Sequence, residues 1–167
     1  MKARLLAAAL AAALALGCAQ APFVPDGQAY ELSLPDLDGQ PASLWSYRGK
    51  VVFLTFFATW CLPCLGEIPL LDELQKRRGA EGLQVVAVGL DRERELVLRP
   101  FRDYYKVSYP ILVGGERFAD PGLPFAPIHT LPTTFVISRE GKVLARWEGP
   151  MPRAELDQVA GLALKAE

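Results

Sequence analysis

Hydrophobic and polar positions along this chain form short runs separated by Gly, Pro and Asp signals. Residues 29–34 alternate weakly and predict a first strand, followed by a turn at Asp38-Gly39. Residues 51–57 are apolar throughout and rich in β-branched and aromatic side chains, which predicts a central strand covered on both faces. A helix is expected from about Cys61 to Arg78, closed by Gly79 and Gly82. A second buried strand is expected over 83–90. Helical spacing of Leu98, Phe101 and Tyr105 marks 94–105, and 109–113 is a short strand candidate. Residues 133–138 and 143–147 form two strands joined through Glu140-Gly141, a hairpin signal. Residues 153–165 place Leu156, Val159, Ala160 and Leu164 on one side, the pattern of a closing amphipathic helix.

Strand, helix and strand in succession imply a parallel pair with a right-handed crossover. The later hairpin adds an antiparallel portion. The expected fold class is therefore α/β, a central mixed β-sheet flanked by helices on both faces. No internal repeat is visible.

The first eighteen residues follow different rules. Lys2 and Arg4 precede an apolar stretch of twelve residues, 5–16. That is too short for a hydrocarbon core, which takes roughly 20 residues. It has the form of the apolar region of a secretory signal. The segment ends Ala15-Leu16-Gly17-Cys18, which resembles a bacterial lipobox with Cys18 as the lipidated residue, although Ala15 stands where Leu is usual. The alternative is cleavage after Ala19-Gln20-Ala21, directly before Pro22. Residues 1–18 are thus read as a signal peptide, 19–28 as a tether broken by Pro22 and Pro25, and 29–167 as one domain. Export would put the remaining cysteines in an oxidising compartment. Formal net charge is −1 with no basic run, so nothing points to nucleic acid.

The candidate chemistry lies in Trp60-Cys61-Leu62-Pro63-Cys64, at the junction of the central strand and the following helix. Cys-x-x-Cys in a β-α-β setting admits three readings. As a structural disulfide it closes a four-residue loop, worth only about 2 kcal/mol in the chain-entropy account. As a zinc site it lacks ligands, because zinc wants four and the chain adds only His129 and Cys18. The redox reading is favoured. A thiolate at a helix N-terminus faces unpaired N–H groups and the positive end of the dipole. Such placement lowers a cysteine pKa from about 8.5 to between roughly 3.5 and 7.5. Cys61 would attack a disulfide, and Cys64, one turn inside and more buried, would resolve the mixed disulfide.

Residues 57–69, Phe-Ala-Thr-Trp-Cys-Leu-Pro-Cys-Leu-Gly-Glu-Ile-Pro, resemble the active-site segment of the TlpA/ResA/CcmG group of thioredoxin-like proteins. Leu131-Pro132-Thr133-Thr134-Phe135-Val136-Ile137 followed by Glu140-Gly141-Lys142 resembles the group's second landmark, and the likeness runs from about residue 29 to the end. The resemblance implies a thioredoxin-like fold and an extracytoplasmic, membrane-tethered and mostly reducing enzyme. It needs no cofactor beyond the Cys61–Cys64 disulfide. Implied partners are exported protein disulfides or apocytochrome c, and a membrane thiol–disulfide electron donor. A monomer is expected. Pro132 would be a cis-proline facing the cysteines, with the Leu131 backbone free to pair with a client strand. Trp60, Leu62 and Pro63 would share that contact. Glu67 corresponds to the acid of the group's Cys-x-x-Cys-x-x-Glu pattern and could move the Cys64 proton. Pro69 should kink the helix. Six residues before Cys61, where thioredoxins carry a buried aspartate and this group often asparagine, the chain has Thr55. That substitution shifts weight onto Glu67.

Two other functions compete. Cys61, Cys64 and His129 could form a soft copper site, but copper chaperones of the Sco type space their cysteines by three residues. Thiol peroxidases resemble Thr-x-x-Cys, and here Ala58 stands three before Cys61. The apolar, proline-rich segment 121–127 precedes Pro132 and reads either as a lip over the site or as a stiff connector.

Overall fold

A computed structural model describes residues 28–166. The leader, Cys18 and nearly all of the tether lie outside the described residues.

The core is a five-stranded mixed sheet in the order β5-β4-β3-β6-β7. It comprises β3 (Val51–Phe57), β4 (Leu83–Gly89), β5 (Ile111–Val113), β6 (Thr133–Ile137) and β7 (Val143–Glu148). β3 pairs in parallel with β4, and β4 with β5, while β6 and β7 join antiparallel. Every residue of β3 is buried, as expected of a central strand between two covered faces.

The α-helices are α1 (Leu62–Arg78), α2 (Glu95–Tyr105) and α3 (Arg153–Lys165). Their distribution departs from an even flanking of both faces. Ile68, Leu71 and Leu74 of α1, Leu98 and Phe101 of α2, and Leu156 and Ala160 of α3 all pack in one cluster with Phe53, Phe57 and Val85. The reason is topological. The steps from β3 to β4 and from β4 to β5 move the same way across the sheet, so two right-handed crossovers lay both helices on one face. The opposite face, lined by Leu54, Phe56, Val86 and Phe135, is covered by short 3-10 turns and loops carrying Leu32, Leu44, Phe118 and Phe125.

The strand expected over 29–34 is a 3-10 turn, Gln28–Glu31, followed by β1 (Ser33–Pro35). Tyr30 explains the turn: its hydroxyl donates to the carbonyls of Arg139 at 2.7 Å and Ser138 at 3.2 Å, pinning the segment to the β6–β7 hairpin. β1 pairs with β2 (Pro41–Ser43) in a separate two-stranded sheet. The turn at Asp38-Gly39 forms as expected, with Asp36 Oδ1 accepting from the Asp38 and Gln40 N–H groups. The segment 121–127 drives Phe125 into the core, where its ring meets those of Phe56 and Phe135.

Candidate active site

β3 ends at Phe57, and the chain turns once before α1 begins. The Cys61 N–H donates to the Ala58 carbonyl at 3.1 Å, closing that turn. Cys61 then caps the helix, its Sγ accepting from the Cys64 N–H at 3.2 Å. This places the sulfur among N–H groups that have no intrahelical partner, at the positive end of the dipole. Pro63 sits early in the helix, where its missing N–H costs nothing. Pro69 lies inside α1, on the exposed side.

The two sulfurs are joined in a disulfide of 2.06 Å, with Cα atoms 5.3 Å apart. Cys61 is 5 % exposed and Cys64 1 %, the asymmetry expected of an outer and an inner sulfur. Cys61 opens on a shallow depression of about 430 Å³ lined by Trp60, Leu62, Pro63, His129 and Leu131. Trp60, Leu62 and Pro63 are exposed around it. The Leu131–Pro132 bond is cis. None of the hydrogen bonds among the described residues uses the Leu131 N–H or carbonyl. The segment 121–127 supplies none of the residues lining the depression.

Glu67 is 3 % exposed, and its Oε1 accepts from the Met151 N–H at 2.9 Å. Burial pushes its carboxyl above the usual range, partly offset by that N–H. An apolar cleft lined by Leu62, Pro63, Leu70, Pro150, Met151 and Pro152 reaches Glu67 from the surface. Next to Met151, the Gly149 N–H donates to the Pro132 carbonyl at 2.8 Å. Residues 149–151 therefore link Glu67 on α1 to the cis-proline. Thr55 is buried opposite Thr134, whose hydroxyl donates to Thr55 Oγ1 at 3.0 Å. A neutral hydroxyl pair therefore fills this buried position behind the cysteines, with no titratable group in it.

His129 is exposed on the rim of the depression. Among the described residues no group of three His, Cys, Asp or Glu side chains is arranged to hold a metal ion. Nor is any described helix long and apolar enough to cross a membrane.

The AhpC/TSA family profile matches residues 25–146. The chain belongs to the AhpC/TSA family. It is 32 % identical over 125 residues to the thiol-disulfide oxidoreductase ResA of Bacillus thuringiensis subsp. konkukian, covering 74 % of this chain and 69 % of that one. Among solved structures it is similar to a thiol:disulfide interchange protein of the thioredoxin family from Chlorobium tepidum, at 29 % identity and TM-score 0.70 over 86 % of this chain and 99 % of that one. It is also similar to the exposed lipoprotein thioredoxin Etrx1 of Streptococcus pneumoniae, at 27 % identity and TM-score 0.64, over 78 % and 98 % of the two chains. The protein is a thiol–disulfide oxidoreductase of the ResA type with a thioredoxin-like fold.

In this oxidoreductase two contacts beside the cysteines are not visible from sequence patterns. The Met151 contact to Glu67 is made by a backbone N–H, to which any residue type would serve. The other joins Asp91 to Thr59, directly before Trp60. Its one signal is an acidic residue at the C-terminal end of a buried parallel strand, the end where sites gather in open α/β sheets.

Proposed function

We propose that this chain is an exported, lipid-anchored dithiol reductase acting on disulfides of exported proteins or of apocytochrome c. The observation that carries the reading is the Cys61–Cys64 pair at the start of α1, beside the unpaired backbone of Leu131. In the reduced protein the Cys61 thiolate attacks one sulfur of a client disulfide. That bond breaks, the first client thiolate leaves and takes up a proton, and a mixed disulfide forms on Cys61. Cys64 gives its proton to the Glu67 carboxylate and attacks Cys61 Sγ. The second client thiolate leaves and is protonated. The client has gained two electrons and the chain holds the Cys61–Cys64 disulfide. A membrane thiol–disulfide electron donor returns the chain to its dithiol form.

The client lies across Trp60, Leu62, Pro63 and Pro132, with an extended segment hydrogen-bonded to the Leu131 backbone. Apolar exposed side chains around the disulfide suit an unfolded or partly folded cysteine-bearing chain. Anchoring through Cys18 is supported by the leader pattern, and it would hold the domain at the outer face of the cytoplasmic membrane or in the periplasm.

Reduction of insulin by the reduced protein, followed by turbidity and thiol release, tests the reading. The parent should turn over with a recycling thiol, and Cys61→Ser should not. Undiminished turnover in Cys61→Ser would refute the mechanism. Globomycin-sensitive labelling of the full chain with palmitate, lost in Cys18→Ser, tests the anchor.

A further inference from the structure

Strands β3 and β4 run in register, Phe57 opposite Gly89, and just past their ends the Leu90 N–H donates to the Phe57 carbonyl at 2.9 Å. That continuation carries Asp91 beside Thr59. Asp91 is 1 % exposed. Its Oδ1 and Oδ2 each lie 3.1 Å from the Thr59 N–H nitrogen, and the Thr59 hydroxyl donates to Oδ1 at 2.6 Å. A carboxylate taken out of water must find donors, and one residue supplies both kinds here.

Thr59 is the second residue of the turn closed by Cys61 N–H on Ala58. That turn delivers Trp60 to the surface and Cys61 to the helix cap. In the oxidised chain the disulfide also restrains Cys61. On reduction that bond is gone, and Cys61 Sγ is held by the turn and the cap alone. Thr59 cannot rotate out of the turn without stranding a buried carboxylate.

We propose that Asp91 is a positioning residue: through Thr59 it locks the 58–61 turn, keeping Cys61 Sγ at the α1 N-terminus after the disulfide has opened. This inference rests on the reading of Cys61 as the nucleophile. Asp91 never meets the client. It sets how much of Cys61 is ionised and where the thiolate points.

The test compares the reduced parent with Asp91→Ala, Asp91→Asn, Thr59→Val and Thr59→Ser, at a temperature where circular dichroism shows each folded. Two quantities are read: the pH midpoint of Cys61 alkylation by iodoacetamide, and the rate of exchange with a small aromatic disulfide at pH 7. His129 lines the depression with Cys61, and Glu67 lies one turn along α1 beyond Cys64; all variants share both groups. Asp91→Ala and Thr59→Val should raise the midpoint toward the ordinary thiol value of about 8.5 and slow exchange about tenfold. Thr59→Ser keeps the hydroxyl and should stay within about threefold of the parent, a conservative rescue that a packing defect would not show. Asp91→Asn keeps an acceptor oxygen and should not raise the midpoint. Thr59→Val preserves volume, so it decides the matter should Asp91→Ala fail to fold. Parental midpoints and rates in both disrupting variants would overturn the proposal while leaving the mechanism standing. A parent whose own Cys61 titrates as an ordinary thiol would remove the mechanism beneath it.

Discussion

Replacing Glu67 by Gln separates the two halves of the exchange. Gln has nearly the volume of Glu, and its carbonyl oxygen can still accept the Met151 N–H that Glu67 Oε1 accepts at 2.9 Å. The one hydrogen bond is kept and only the proton site is lost. Burial already holds this carboxyl above its usual range, so it can carry a proton nearer to neutral pH than an exposed glutamate. A positioned general base contributes about 10²–10⁴-fold to a step. The cleft beside Glu67 is open to solvent, so water can take over some of the proton transfer. That argues for the lower end, about 10²-fold, equivalent to roughly 2.7 kcal/mol of barrier. The loss should fall on resolution by Cys64 and spare the first attack by Cys61. Reduced protein is mixed with a peptide disulfide, quenched in acid at intervals and weighed by mass spectrometry. In Glu67→Gln the mixed disulfide on Cys61 should accumulate at pH 7, and raising the pH should clear it as Cys64 ionises unaided. Resolution at the parental rate would refute the assignment of the proton to Glu67.

The same carboxyl makes a stability prediction. Its folded pKa is raised above the ordinary 4.5, so its contribution is fully present below that value and is lost as pH rises through the folded one. Urea unfolding should therefore show Glu67→Gln gaining on the parent as pH rises above the ordinary 4.5; a gap that stays constant would contradict the shift. Leu74, fully buried on α1, should cost about 2–5 kcal/mol as Leu74→Ala, read from the urea midpoint. Gly141 has φ +87°, and a Cβ there would meet the Tyr30 ring at 2.5 Å. Gly141→Ala should thus cost more than about 1 kcal/mol in thermal unfolding, non-additively with Tyr30→Ala.

Much of the fold can be read from residue order because the decisive runs are long. The seven apolar residues of β3 leave no exposed face, and α3 carries its apolar positions at regular helical spacing. The cysteines are legible because their placement is local: strand end, turn and helix cap follow one another within a few residues. Cis geometry at Leu131–Pro132 agrees with the resemblance that suggested it. What escapes is either short or distant. β1 and β2 have three residues each, too few for a period to show. Tyr30 turns its segment by bonding carbonyls more than a hundred residues away. The crowding of all three α-helices on one face follows from strand order, which no local pattern encodes. Asp91 reaches Thr59 across 32 positions, through the register of two strands.

The exchange chemistry depends most on the state of the Cys61 sulfur, and a titration of the reduced protein addresses it directly. Absorbance at 240 nm and iodoacetamide alkylation, assigned by peptide mass spectrometry, report ionisation and access at Cys61 together. A midpoint at or below about 7.5, with Cys61 alkylated well before Cys64, is the predicted result. A midpoint near the ordinary 8.5, or a Cys61 that reagent reaches no faster than Cys64, would contradict it.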